Sequence, residues 1–281
     1  MVLREIIEKA LLEDRADEDI TSLLFVPENK NITFTLIAKE SGILSGVNVF
    51  KEVFHQIDPK IMVTLNLNDG ENFKKDDIIL SLSGNAQKIL SGERTAINFL
   101  AHLSGIATAC NQLVGSIPHK KITILDTRKT TPLLRILEKQ AVIDGGGTNH
   151  RLTLADTVLI KDNHIASIGE FEKILKKIEI IKSKYPELFI EIEIENLNQL
   201  KKALNTKGID RIMLDNFTPE LCYTAVNIRK KMGCEYIPFE ISGGISKQNI
   251  EEYSNSGCEF ISIGSITHSS KAIDFSLKVE L

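Results

Sequence analysis

Charged side chains in this sequence collect at the ends of short apolar runs, and their types suggest what they can bind. The stretch "DTRKTTP" (126–132) sets Arg128 beside Lys129, flanked by Thr127, Thr130 and Thr131. A guanidinium fork takes a carboxylate or phosphate through two bonds while an ammonium acts as a point charge, so the pair can grip different parts of one polyanion. A solvated charged loop is the ordinary alternative. "AVIDGGGTNHR" (141–151) adds His150 and Arg151 behind three glycines, which let the backbone approach a ligand or a neighbouring element. In "LIKDNH" Lys161 directly follows an apolar run; if that run is an internal strand, the lysine is partly buried and needs an anion. Asp162 is one candidate partner, and His164 can cap the helix that follows.

The acids show a pattern of their own. "FIEIEIEN" (189–196) alternates Glu191, Glu193 and Glu195 with Ile190, Ile192 and Ile194, a period of two that puts the carboxylates on one face of a strand. With Asp215 and Asn216 of "IMLDN" they offer the oxygen ligands that Mg²⁺ prefers, or else they simply neutralise the nearby cations. Two glycine-containing turns come last. "ISGGIS" supplies Ser242, Gly243 and Gly244, and "IGSITHS" supplies Gly264, Ser265 and, close by, His268. Backbone amides in such turns, aimed from helix N-termini after the final strands of a barrel, make a monophosphate site.

These residues need a frame. From residue 122 onward, six strand-like runs recur at the interval of a helix plus two loops: "ITILDTRK", "TVLIKDNH", "FIEIEIEN", "DRIMLDNF", "PFEISGG" and "FISIGS". That cadence is one of repeated βα units, whose ligands bind at the carboxyl ends of the strands. No Gly-x-Gly-x-x-Gly follows a first strand, which argues against an open dinucleotide-binding sheet. Six strands are fewer than eight, so the expected fold is an α/β protein with an incomplete α/β barrel over residues 105–268. Residues 1–104 carry β-rich runs broken by turn residues and read as an N-terminal α/β sandwich domain, joined by the C-terminal residues 269–281. A long helical pattern over 87–117 links the two.

Composition narrows the class. A formal net charge of −4 gives no global basic surface, so general nucleic-acid binding is not expected and any anion must be held by a local cation cluster. The opening "MVLREIIEKALLED" is acidic and amphipathic, a core-facing helix rather than a signal peptide, and no apolar run approaches the ~20 residues needed to span a bilayer. Cys110, Cys222, Cys234 and Cys258 show no metal-binding or redox spacing, as expected of reduced thiols in a cytoplasmic protein.

Taken in order, "GERTAINFLAHLSGIAT", "DTRKTTP", "GGGTNHR", "LIKDNH", "EIEIEN", "MLDN", "ISGGI" and "GSITHS" resemble the quinolinate phosphoribosyltransferases, also called carboxylating nicotinate-nucleotide pyrophosphorylases. The resemblance runs from "LLEDRADEDIT" to "AIDFSL". It implies a two-domain fold with an incomplete barrel, and a homodimer whose site is completed by the neighbouring subunit. The implied reaction joins quinolinate to phosphoribosyl pyrophosphate with Mg²⁺, releasing pyrophosphate and carbon dioxide. By motif, Arg94 of "GERT" reaches quinolinate from the partner subunit, a role that nothing else about this helix arginine suggests. Arg128, His150, Arg151 and Lys161 surround the quinolinate carboxylates, and Lys129 is directed to phosphoribosyl pyrophosphate. Glu193 and Asp215 hold ribose hydroxyls and Mg²⁺; Ser242, Gly243, Gly244, Gly264 and Ser265 bind the 5′-phosphate, with His268 nearby. Leu133 and Glu18 stand where the family often has glycine, which puts local loop shape in question. A paralogous protein associated with molybdenum transport genes shares the fold, but is expected to alter "DTRKTTP" and "LIKDNH", both intact here.

Overall fold

Alternation and helical spacing divide the chain much as the sequence suggests. The computed structural model describes residues 3–117 and 122–279. The elements run α1 (Leu3–Glu13), α2 (Ile20–Phe25), β1 (Asn31–Ala38), β2 (Gly42–Ile43), α3 (Val47–Ile57), β3 (Met62–Leu65), β4 (Asn72–Phe73), β5 (Ile78–Asn85) and α4 (Ala86–Gly115). There follow β6 (Thr123–Leu125), α5 (Arg135–Asp144), β7 (Val158–Ile160), α6 (Asp162–Ile168), α7 (Phe171–Lys184), β8 (Ile190–Ile194), α8 (Leu197–Leu204) and β9 (Arg211–Asp215). The last are α9 (Pro219–Lys231), β10 (Phe239–Ser242), α10 (Ile250–Ser254), β11 (Phe260–Ser262), α11 (Ser265–His268) and β12 (Phe275–Val279).

Two compact units result. The first takes Met1–Asn111, Thr130–Gly146 and Ile266–Leu281, the second Gln112–Lys129 and Gly147–Ser265. In the first, β12, β1, β5 and β3 form an antiparallel sheet in that order, so the C-terminal strand pairs with β1. Residues 130–146, which a cut at residue 105 assigns to the barrel, cluster with this unit, and their packing explains why. Ala141 and Val142 of α5 are fully buried, Ser45 Oγ donates to Asp144 Oδ2 at 2.6 Å, and Gly145 lies so close to α4 that a Cβ would sit 2.4 Å from the Ala107 carbonyl oxygen.

The second unit is a six-stranded parallel sheet in the order β6-β11-β10-β9-β8-β7, and all six strands expected from the sequence form. Strands consecutive in the chain, β6 and β7, end up at opposite edges, so the barrel is incomplete. Beyond the β6 edge the chain returns to make one isolated parallel bridge between Leu125 and Thr148. Every residue of β8 is buried, as expected for a parallel sheet covered on both faces. Two of its helices start on side-chain caps: Asn196 accepts from the Asn198 and Gln199 amides, and Thr218 from the Leu221 amide ahead of Pro219. All four cysteines are buried, and none forms a disulfide among the described residues. Among the described residues no helix is long and apolar enough to cross a membrane.

Candidate active site

Most functional groups of the second unit stand at or near the carboxyl end of a strand, which fixes their backbone; His150 and Arg151 come instead from the segment after the isolated bridge at Thr148. After β6, the buried Asp126 accepts from the His150 amide through Oδ1 at 2.8 Å, tying the "NHR" segment to the strand end. Lys129 is exposed, its amide donating to Thr127 Oγ1 at 3.1 Å. Arg128 is half-buried, and its buried Nε has no hydrogen-bond partner among the described residues. Arg151 donates from Nη1 to the Thr157 carbonyl at 3.1 Å. Burial, followed by the charge of Arg128, lowers the Arg151 pKa from its ordinary value, with Glu191 and Asp156 opposing. A guanidinium whose charge is disfavoured by burial and by a second guanidinium gains from an anion placed beside it.

Along the sheet, Lys161 Nζ donates to Glu193 Oε2 at 2.5 Å. The adjacent Asp162, one partner open to the sequence reading, is exposed and accepts from the Asn163 amide instead. The reason is lateral: β7 and β8 are neighbours, so a side chain just past β7 reaches across to Glu193. His164 does cap its helix, with Nδ1 accepting from the Lys161 amide at 2.9 Å. Past the end of β9, Asn216 Nδ2 donates to Asp215 Oδ2 at 2.6 Å. The Asp215 pKa is raised, first by burial and then by the charge of Glu193, with Lys161 pulling the other way. A carboxylate destabilised by a second carboxylate is a donor set suited to a divalent cation with oxygen ligands, so Glu193 and Asp215 fit Mg²⁺.

The β10 turn has a steric requirement for glycine. Gly243 adopts φ +99°, and a Cβ there would lie 2.2 Å from Asn216 Oδ1. Gly244 also lies in the left-handed region, at φ +64°. The Asn216 amide donates to the Ser242 carbonyl at 2.8 Å, and Asn249 Nδ2 to the Gly244 carbonyl at 3.0 Å, so the turn is pinned on both sides. Gly264 and Ser265 follow β11, with Ser265 opening α11.

Beneath these ends lies a buried charge network that the sequence reading, focused on strand endings, did not single out. Glu191 and Glu240 are fully buried. His150 Nε2 lies 3.1 Å from Glu191 Oε2 and 3.4 Å from Glu240 Oε2, and Arg211 Nη1 lies 2.8 Å from Glu240 Oε2. Burial works against the His150 imidazolium, but pairing with Glu191 and Glu240 outweighs it and holds the pKa at about 9. His150, Glu191 and Glu240 stand close enough together to bind a cation, a position already served by the imidazole and the Arg211 guanidinium. The detectable signal was the glutamate inside the apolar "PFEIS", a buried acid that required a partner. The three alternating glutamates thus divide: Glu191 deep in the network, Glu193 paired with Lys161, and Glu195 exposed beyond the strand.

Arg94 and His268 belong to the first unit. Arg94 is exposed on α4 and lines a cleft of about 490 Å³ with Asp14, Asn98, Phe99, His102 and Thr131. His268 ends α11, its Nδ1 2.6 Å from Ser269 Oγ.

A guanidinium disfavoured by burial and by a neighbouring cation, beside a carboxylate pair fit for a divalent ion, suits an α/β enzyme for polyanionic substrates. Comparison with known proteins gives the particular family. Residues 19–104 match the N-terminal domain of quinolinate phosphoribosyl transferase and residues 106–278 its C-terminal domain. The probable carboxylating nicotinate-nucleotide pyrophosphorylase of Bacillus subtilis is 38% identical, over 99% of this chain and 94% of its own length. The enzyme of Mycobacterium leprae is 36% identical, over 98% and 96%. The nicotinate-nucleotide pyrophosphorylase structure from Francisella tularensis superposes with a TM-score of 0.90 at 38% identity, covering 99% of this chain and 96% of that one. The chain belongs to the quinolinate phosphoribosyltransferase family. It is a decarboxylating pentosyltransferase that converts quinolinate and phosphoribosyl pyrophosphate to nicotinate mononucleotide, pyrophosphate and carbon dioxide in NAD biosynthesis.

Proposed function

We propose the following division of labour for this reaction. Arg128, Arg151 and Lys161 bind the quinolinate carboxylates, with His150 beside them. The single observation supporting this is Arg151, a guanidinium whose charge is disfavoured first by burial and then by the neighbouring Arg128, a cost that a dianionic ligand relieves. Lys129 and Thr127 face phosphoribosyl pyrophosphate, and the Ser242–Gly243–Gly244 turn with Gly264 and Ser265 receives its 5′-phosphate, His268 lying nearby. Glu193 and Asp215 hold the ribose hydroxyls and Mg²⁺. Bound there, the metal supplies positive charge to the departing pyrophosphate.

The protein's own part is positioning and electrostatics. The cations orient the pyridine nitrogen toward the ribose carbon that loses pyrophosphate. Once that nitrogen is alkylated it carries positive charge and stabilises electron density on the adjacent ring carbon, so the carboxylate there leaves as carbon dioxide, its bonding pair stays on that carbon, and the carbon takes a proton from water. Lys161 is shared between Glu193 and substrate, which lets it bind a carboxylate without holding it too firmly.

We further propose a cytoplasmic homodimer in which Arg94 completes the partner subunit's site. An exposed arginine on α4, which belongs to the first unit whereas Arg128, His150, Arg151 and Lys161 belong to the second, supports that reading. The direct experiment incubates purified protein with Mg²⁺, quinolinate and phosphoribosyl pyrophosphate and follows pyrophosphate and nicotinate mononucleotide. Equal turnover of nicotinate in place of quinolinate would overturn the assignment of the cations to two carboxylates.

A further inference from the structure

The buried network beneath the site contains charges that no step above uses. Arg211 opens β9, four residues before Asp215, so it stands about 13 Å back along the strand from the end where ligands bind. Its guanidinium packs over the Phe260 ring at 4.2 Å and the Phe189 ring at 5.3 Å, and it lies 2.8 Å from Glu240 and 4.0 Å from Glu191. Glu240 is the second residue of β10, fully buried between Arg211 and the His150 ring. His150 in turn has its Nδ1 turned to the Arg151 amide, which donates to it at 2.7 Å. Nε2 thus lies within ion-pair distance of both carboxylates below, and Nδ1, an acceptor when the ring is neutral with its proton on Nε2, meets the backbone of Arg151 above, an arrangement that passes from the sheet interior to that backbone.

We infer that Arg211 and Glu240 are positioning residues for quinolinate: through Glu240 and the His150 ring they set the backbone of Arg151, and so the place of its guanidinium. Burying two carboxylates and two cations is costly and is not needed to stabilise a sheet, since apolar side chains of similar volume commonly do so as well or better. Retaining such a set makes sense where orientation matters, and here it ends on a residue assigned to substrate. Arg229 and Glu259 provide an internal comparison. They are 2.8 Å apart, Arg229 is 4% exposed against 17% for Arg211, and it stacks over Phe239, but its partner Glu259 is 40% exposed and is not one of the carboxylates paired with His150. Glu259→Gln therefore leaves the buried Arg229 without its carboxylate and measures the effect of an unpaired buried charge alone.

The inference rests on the assignment of Arg151 to a quinolinate carboxylate, so the test measures quinolinate binding directly as well as turnover. Glu240→Gln keeps the shape of the side chain and removes its charge. The expected result is a KM for quinolinate and a quinolinate dissociation constant both raised roughly tenfold or more, with the KM for phosphoribosyl pyrophosphate changed less than about threefold. Glu259→Gln is expected to lower the unfolding temperature without that split. If Glu240→Gln does not fold, the double variant Arg211→Gln with Glu240→Gln removes both members of the pair and leaves no unpaired partner. It should fold and show the same selective loss. Equal weakening of both substrates, or a loss of stability alone, in whichever of these variants folds overturns the positioning role. If wild-type protein does not bind quinolinate at all, the assignment of Arg151 fails instead, and the two failures are distinct.

Discussion

Lys161 Nζ donates to Glu193 Oε2 at 2.5 Å, joining the end of β7 to the neighbouring strand β8. The lysine side chain is 44% exposed and the carboxylate 6%, so the pair faces the site with its cation outermost. Lys161→Ala removes a substrate cation and leaves Glu193 uncompensated. The expected outcome is a fall in kcat/KM for quinolinate of about a hundredfold or more, with Lys161→Arg recovering part of it. Steady-state kinetics on the two variants checks this, and an alanine variant within tenfold of wild type would sink the role.

A shared site predicts complementation. Arg94→Ala and Lys161→Ala, each nearly inactive alone, should regain activity when mixed under conditions of subunit exchange. A hybrid dimer carries one site with both residues intact, so up to about a quarter of wild-type activity is expected at equal mixing. No recovery despite exchange, followed by native mass spectrometry of the mixed dimers, would remove the support for Arg94 acting across an interface.

The pKa of His150 sets a pH window. It is raised from 6.5 to about 9, so the charged form is favoured by folding. That contribution is fully present below pH 6.5 and is lost as pH rises through about 9, because the folded state must then release the Nδ1 proton of an imidazolium that Glu191 and Glu240 favour, the neutral ring keeping its proton on Nε2. The full shift corresponds to on the order of 3 kcal/mol, an upper bound because the Arg151 amide at Nδ1 favours the neutral ring. Urea unfolding from pH 6 to 9.5 should therefore show stability falling toward alkaline pH, with His150→Gln flattening the fall. A wild-type curve that rises across this range contradicts the network.

How far these features could be read from the sequence depends on whether they are local. The six strands of the second unit were legible because each is a short apolar run ending in polar residues, and the helix cap at His164 was legible because capping spans only three residues. Lateral relationships were not. The partner of Lys161 is Glu193 rather than Asp162 because β7 lies beside β8, a fact of sheet order that no local window contains. The clustering of residues 130–146 with the first unit depends on the packing of α5 and Gly145 against α4. Arg211 escaped notice because it begins a strand, whereas the search for chemistry looked where strands end.

Leu133 occupies a backbone conformation better suited to glycine. Its φ is +70° and its side chain is 63% exposed, so burial does little to offset the strain. A left-handed non-glycine residue costs roughly 1–2 kcal/mol, against roughly 0.5–1 kcal/mol of extra unfolded-chain entropy for glycine. Leu133→Gly should therefore stabilise the protein by up to about 1 kcal/mol, read as a higher urea midpoint at unchanged slope. A lower midpoint would show that the exposed leucine side chain contributes more than its backbone costs.

Gly243 and Gly244 separate two reasons for glycine in the same turn. At Gly243 a Cβ would meet Asn216 at Oδ1 (2.2 Å), at Cγ (2.8 Å) and at the backbone nitrogen (3.1 Å), whereas at Gly244 it meets nothing within 4 Å. Asn216 cannot readily move away: it is itself at φ +53°, its amide is bonded to the Ser242 carbonyl, and its Nδ2 holds Asp215. Gly243→Ala must therefore displace the Asn216 side chain and with it the Asp215 carboxylate. A stability loss of roughly 2–3 kcal/mol is expected, combining overpacking with the positive φ. The KM for phosphoribosyl pyrophosphate should rise about tenfold, well beyond any change for quinolinate. Gly244→Ala carries only the conformational cost, about 1 kcal/mol, and a smaller kinetic effect. Steady-state kinetics and urea unfolding of the two variants give the order directly. If Gly244→Ala is the more damaging, or if Gly243→Ala weakens quinolinate instead, the turn does not serve the phosphate through the Asn216–Asp215 contact.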